Sequence, residues 1–233
     1  MSKTLRVFWM KEPGNCGDVL TPELLKGFGY EVEWASKDEA DYICIGTIAT
    51  WARPGVTVLG SGIGNRLDSV NPDAKYLAVR GPMTRHAVLR SGGECPKVFG
   101  DPALLMPHVY DQKVIKLGGP AFFAHYCDLE EAKATGLPVI NPLGDPLGVI
   151  DNMRMFDTIY SSSLHGIILA HAYGIPACWV ELTNNLFGDG TKFRDYAASV
   201  GIKLPHWKRV ADAKPVLPGK LNLKPLLNVF QNL

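Results

Sequence analysis

The sequence has no cysteine pair at metal-finger or redox spacing. Its five cysteines, Cys16, Cys44, Cys95, Cys127 and Cys178, are odd in number and widely scattered. That speaks against a disulfide framework and for a reducing compartment. No stretch approaches the roughly 20 apolar residues of a membrane span. The N-terminal MSKTLRVFWMKEPGN begins charged, and its apolar run is too short for a secretory leader. Net charge is also nearly absent, at +1, so no global field points to nucleic acid or to an acidic surface. There is no Walker lysine motif, and GSGIGN at 60–65 is not a G-x-G-x-x-G with an acidic partner downstream. The expectation is a cytoplasmic protein with no nucleic-acid partner, at most peripherally associated with a membrane, whose use of charge is local.

What is present is an ordinary globular composition, 46% hydrophobic and 20% charged over 233 residues, long enough to bury a substantial core. Short β-rich runs alternate with helical stretches, the pattern of parallel sheets wrapped by helices. LRVFWM, EVEWAS, DYICIGT, VTVLGSGI and YLAVR read as strands of a first half, with helices over VLTPELLKGFG and GPMTRHAVLRSGG. The polar, proline-containing 106–113 reads as a linker, after which the alternation restarts at KVIKLGG. AFFAH, LPVIN, DTIYSS and ACWVEL follow as strands, DPLGVIDNMRMF, GIILAHAY and TKFRDYAASVG as helices, and LNLKPLLNVFQNL as a closing helix. The expected fold is α/β, two doubly wound Rossmann-like lobes over 1–107 and 108–233 with a central cleft. Ligands of such sheets sit beyond the carboxyl ends of the strands, so the loops GNCGD, AVRGPMT, FGDPAL and SSSLHG carry the interest.

SSSLHG lacks the G-x-S-x-G of a nucleophile elbow. His165 and His171, six apart, point about 120° apart around a helix, which does not suit a metal pair. No metal is expected. A strand running into a helix at Ser162, Ser163 and His165 forms an anion cradle from unpaired N–H groups, hydroxyls and an imidazole, with Gly166 allowing close backbone approach. A plain helix cap is the alternative, and His171 reads as a core histidine. Arg80, directly after an apolar strand, has the character of a carboxylate or phosphate fork, while Arg85 reads as a solvated helix residue. Asp18, after Asn15 and Gly17, is either an N-cap or a carboxylate that accepts a sugar proton. Asp101, before Pro102, reads as a structural N-cap. His125 follows an apolar run. Lys192 and Arg194, in the first turn of a helix, are set either to reach a phosphate or to face water.

In order, N-x-G-D, VRGP-x-T, GDPALL-x-P, AFFAHY, SSSLHGIILAHAYGIPA and KFRDY, spanning Asn15 to Tyr196, resemble the motifs of the polysaccharide pyruvyl transferases. The resemblance implies a GT-B-like fold and transfer of a pyruvate ketal from phosphoenolpyruvate to a sugar or lipid-linked glycan acceptor of a cell-surface polysaccharide. It requires no cofactor. It puts the donor arginine at Arg80 and the strand-to-helix histidine at His165, beside Leu164. Many members carry arginine immediately before that Leu-His, where this chain has Ser163. Donor binding is then expected from Arg80, Ser162, Ser163, Leu164, Gly166 and Lys192. His165 is the first candidate acid, His125 the second, and Asp18 the base, with Asn15 and Gly17 in the acceptor loop. A nucleotide-sugar glycosyltransferase of similar fold, or a non-catalytic glycan- or phosphate-binding protein, are the alternatives.

Overall fold

The computed structural model describes residues 3–233. The first sheet is built from β1 (Thr4–Phe8), β2 (Glu31–Trp34), β3 (Tyr42–Ile43), β4 (Thr57–Leu59) and β5 (Lys75–Ala78), in the order β2-β1-β3-β4-β5. Its helices are α1 (Cys16–Val19), α2 (Thr21–Gly27) and α3 (Pro82–Arg90). The second sheet contains β6 (Pro120–Phe123), β7 (Val139–Ile140), β8 (Thr158–Ser161), β9 (Ala177–Val180) and β10 (His206–Trp207), in the order β10-β9-β8-β6-β7. Its helices are α4 (Leu129–Lys133), α5 (Pro146–Arg154), α6 (Leu164–Ala172) and α7 (Thr191–Ser199), and α8 (Lys224–Gln231) closes the chain. Every strand pair in the two ladders is parallel, which requires crossover connections.

The sequence pattern explains the layering. In β1, Leu5 and Val7 are buried while Thr4 and Arg6 are exposed, the two-residue period of a strand with one side on the core. The β9 strand, ACWV, is buried throughout, as befits an interior strand. Leu164 through His171 of α6 are all buried, which is the mark of a helix enclosed by protein. One apolar cluster runs from Leu5 and Val7 through Leu104 and Leu105 to Phe123, Ile168 and Tyr196, so the two sheets share a continuous core. The α8 helix returns to the first sheet's side: the Tyr30 hydroxyl donates to the Phe230 carbonyl (2.9 Å) and Leu226 packs over Gly100.

Three sequence expectations change. Cys16, Gly17 and Asp18, read as loop, form α1, and Asn15 holds its N-cap position. Asp18 is therefore not the cap, because the helix begins before it. No strand forms at KVIKLGG: the ladder starts at Pro120, and Ile115 and Leu117 are 80% and 65% exposed, finding no sheet to pack on. The segment 106–113 begins inside a 3-10 helix, Pro102–His108, whose Met106 is fully buried. No helix among the described residues is long and apolar enough to cross a membrane.

Candidate active site

Strand order reverses around β1 in the first sheet, between β2 and β3, and around β6 in the second, between β7 and β8. Loops leaving a sheet at such a switch point splay apart and leave a crevice. A cavity of about 260 Å³ lies where the two crevices face each other. Its walls are the segments after β1 (Met10, Pro13, Asn15, Asp18), β3 (Thr47, Ile48, Trp51), β6 (His125, Tyr126) and β8 (Ser163, Leu164, His165). Phe187 and Lys192, after β9, complete it.

His165 is the most constrained group. A Cβ on Gly17 would overlap its imidazole ring, so the small residue in α1 is what lets the first lobe close on the histidine. His165 Nε2 lies 3.8 Å from Asp101 Oδ2, and neither atom has a hydrogen-bond partner among the described residues. Burial lowers the His165 pKa to about 3, helped by the positive charge of Arg80 and Lys192 and by His125. The ring is therefore neutral at neutral pH. Burial raises Asp101 to about 6, against the pull of Arg80 and the bond its Oδ1 accepts from Ala103 N (3.1 Å). The sequence reading of Asp101 as an N-cap holds, while its second oxygen faces His165.

Three more ionisable groups line the cavity. Burial draws Lys192 down to about 8, with Arg80 adding repulsion and Asp18 opposing; at 8% exposure it does not face water. Asp18 is raised by burial, while the Asn15 Nδ2 donated to its Oδ2 (2.9 Å) and the Lys192 charge work to lower it. His125 is lowered to about 4 by burial and then by Lys192. Its backbone N–H donates to Ser162 Oγ (2.9 Å), and its Nδ1 accepts from Cys127 N (3.3 Å). That ties the β6 corner to the β8 corner.

Asn15, Asp18, His125, Ser163, Leu164, His165 and Lys192 thus meet in one cavity. Gly17 stands behind it against His165. Arg80, Ser162 and Gly166 do not line it. Arg80 is fully buried: Nη1 donates to Thr47 Oγ1 (3.0 Å), Nη2 to the Ile63 carbonyl, and Nε lies 3.6 Å from Asp195 Oδ2. Two of its five N–H donors are thus used within the protein, Nε has no hydrogen-bond partner among the described residues, and its charge bears on His165 and Lys192. Ser162 Oγ accepts from the His125 amide, and a Cβ on Gly166 would strike Ser161 and Phe123, so that glycine is needed for packing. Ser163 occupies the N-cap position of α6 without a capping side-chain bond. His171 is the core histidine expected, with Nδ1 accepting from Tyr196 (2.8 Å) and Nε2 donating to the Val216 carbonyl (2.9 Å).

Sequence reasoning missed Asp195. From α7 its Oδ1 accepts from Met83 N (2.8 Å) and Thr84 N (3.2 Å), and its Oδ2 from Thr84 Oγ1 (2.6 Å). It caps α3 in the other lobe and faces Arg80. A Cβ on Gly81 would clash with it. Also missed were the cavity's aromatic walls, Trp51, Tyr126 and Phe187, exposed by 41%, 38% and 64%. Isolated aromatics in loops carry no signal until the loops are brought together.

The chain is 29% identical over 219 residues to the succinoglycan biosynthesis protein ExoV of Rhizobium meliloti (strain 1021), covering 84% of this chain and 64% of that one. It is 27% identical over 180 residues to the uncharacterized protein L143 of Acanthamoeba polyphaga mimivirus, covering 71% and 62% respectively. The chain therefore spans somewhat under two thirds of the length of these curated relatives. A crystal structure of a functionally uncharacterized protein from Klebsiella pneumoniae subsp. pneumoniae NTUH-K2044 shares the fold, with TM-score 0.50 and 14% identity over 83% of this chain and 87% of that one. The family profile described as polysaccharide pyruvyl transferase matches residues 45–184, which include Arg80, Asp101, His125 and the whole β8–α6 corner. By that match over more than half its length, the chain belongs to the polysaccharide pyruvyl transferase family.

Proposed function

We propose that the chain transfers the pyruvyl group of phosphoenolpyruvate onto two hydroxyls of a sugar in a polysaccharide or its precursor, in a cleft of GT-B type. The observation that carries this reading is the convergence of Lys192, His165, His125 and Asp18 in one small, half-apolar cavity at both switch points. Phosphoenolpyruvate brings a phosphate and a carboxylate. Lys192, with its pKa near 8, is mostly a cation at neutral pH and suits either anion. The N–H groups that open α6 supply fixed donors.

The reaction adds one proton to the methylene carbon and makes C2 electrophilic. One sugar hydroxyl adds to C2 and gives up its proton; phosphate then leaves with the C2–O bond electrons, and the second hydroxyl takes its place. Of the two hydroxyl protons, one replaces that given to the methyl group and the other departs with phosphate, so the cycle balances. His165 is the acid in this reading. Its ring is held neutral by burial and by Arg80 and Lys192, and the donor's negative charge offsets the repulsion from those two cations, so that binding itself raises its proton affinity. Asp18 accepts a hydroxyl proton, and His125 stands as a second relay. Oriented donors in a dry site stabilise the charge as it develops.

A cavity of about 260 Å³ falls below the roughly 300–1,000 Å³ of sites for larger ligands, which favours a compact donor over a nucleotide sugar. Acceptor-dependent phosphate release, with the acid-labile ketal detected by mass spectrometry, tests the reading. His165→Ala and Lys192→Met should each suppress it. Release without ketal, or turnover with a nucleotide sugar instead, would overturn it.

A further inference from the structure

Asn15 carries a hydrogen-bond-accepting oxygen that the residues around it leave unused. It occupies the N-cap position of α1, where an asparagine ordinarily accepts from the N–H groups of the first turn, yet its side chain makes no such bond. The amide turns instead to Asp18, donating from Nδ2 to Oδ2 at 2.9 Å. An ionised carboxylate only accepts, so this contact fixes which way the amide faces. Oδ1 is the atom left over. It is buried without a hydrogen-bond partner among the described residues, on a residue 6% exposed that lines the cavity.

The backbone beneath it is pinned. Asn15 forms an antiparallel bridge to Leu143, and the Cys16 N–H donates to the Pro142 carbonyl (2.7 Å), both on the segment after β7 in the second lobe. The Asn15 carbonyl accepts from Asp18 N (2.9 Å) and Val19 N (3.1 Å). A buried acceptor so held costs stability until a donor meets it, and that donor must come from whatever fills the cavity. Phosphoenolpyruvate with its phosphate and carboxylate ionised has no O–H or N–H to give. A sugar hydroxyl has.

We propose that Asn15 and Asp18 form a diol clasp, in which Asn15 Oδ1 accepts the hydrogen of one sugar hydroxyl while Asp18 takes the proton of its neighbour. The two accepting groups are separated by one amide and one hydrogen bond, which suits hydroxyls on adjacent or next-but-one carbons. The clasp rests on the proposed reaction and adds to it a substrate class: a sugar with two neighbouring free hydroxyls, both held before the chemistry starts. After the first hydroxyl adds to C2 and phosphate leaves with the C2–O bond electrons, C2 is an oxocarbenium carbon open to any nucleophile. The second hydroxyl, held by Asn15, closes the ketal, and its proton departs with phosphate. Water adding there instead gives a hemiketal, which expels the sugar hydroxyl and collapses to pyruvate, so that phosphoenolpyruvate and water become pyruvate and phosphate. Asn15 therefore governs the partition between ketal and pyruvate.

That partition is the test. Protein, phosphoenolpyruvate and methyl β-D-galactopyranoside or methyl β-D-glucopyranoside are assayed in parallel for phosphate, for ketal by mass spectrometry and for pyruvate with lactate dehydrogenase. Asn15→Ala should lower the ketal-to-pyruvate ratio about tenfold, the contribution of one hydrogen bond to a held hydroxyl. Asn15→Asp should restore most of it, because two close carboxyls share a proton, which replaces the lost amide donor and leaves an accepting oxygen. Phosphate, ketal and pyruvate falling together at an unchanged ratio would make Asn15 structural and overturn the clasp, as would an unchanged ratio at full rate. In either case wild-type ketal formation leaves the reaction standing. Wild-type protein that forms no ketal on these glycosides or on a polysaccharide precursor sinks the reaction, and the clasp with it.

Discussion

Replacing Gly17 with alanine adds one methyl group at the contact between α1 and His165. The added Cβ falls on the imidazole, well inside the roughly 3.5–4.0 Å at which carbon atoms rest, so ring or helix must retreat by more than about 1 Å. Retreat is blocked behind the ring, because His165 is 7% exposed and faces the fully buried Asp101. Two stability effects oppose each other. Alanine gains about 1 kcal/mol over glycine in a helix, and overpacking costs about 1–3 kcal/mol. The net loss is therefore small, about 0–2 kcal/mol, and urea denaturation should show a folded, cooperative protein. Turnover is more sensitive: a displacement of about 1 Å at a reacting group costs on the order of 100-fold. Phosphate release assayed with the acceptor in hand should fall by about that factor, with donor KM changing far less because Lys192 is untouched. Near wild-type turnover in a stable Gly17→Ala protein would refute both the contact and the central place of His165.

Asp195→Ala removes a cap from α3 and leaves Arg80 buried without its closest carboxylate, so unfolding free energy should drop by about 3–5 kcal/mol; a loss under about 1 kcal/mol in urea titration would contradict the linkage. Asp101→Asn keeps the cap to Ala103, since asparagine caps well, but removes the charge facing His165. We expect stability within about 1 kcal/mol of the parent, a lower kcat at little-changed donor KM, and loss of the acidic limb near pH 6 that Asp101 sets; an unaltered pH profile would assign Asp101 to structure alone. Lys192 gives two opposite pH responses. Its folded-state pKa, about 8, lies below the unfolded value of about 10.4, so the unfolded chain holds more protons between those values and stability should rise with pH across that window. Donor affinity should fall over the same range as the cation is lost, and Lys192→Met should abolish both trends.

The sequence made the architecture readable because parallel α/β order is written locally. Apolar runs of strand length, Pro82 and Pro146 at helix starts and Gly174 after α6 each signal an element without reference to distant residues. KVIKLGG misled for the same reason: it has a strand's composition, but a strand needs a neighbour, and the second sheet begins its ladder at Pro120. The site was legible where chemistry follows the strand-loop-helix unit, as at His165, Asp18 and Lys192. It was hidden where one group acts on another across the chain. Asp101 to His165, Gly17 to His165 and Asp195 to Thr84 are contacts between distant segments, and none leaves a local pattern. Arg80 shows the consequence. Its position after β5 pointed to the cleft, yet Thr47, Ile63 and Asp195 enclose it. Of the two cations, Lys192, on the helix that caps α3, is the one that lines the cavity. Because Asp195 and Lys192 lie within one turn of that helix, the residue that joins the lobes and the lysine that lines the cavity are positioned together. Any motion that separates the lobes would move Lys192 and at once take Asp195 away from Arg80, which keeps its bonds to Thr47 and Ile63.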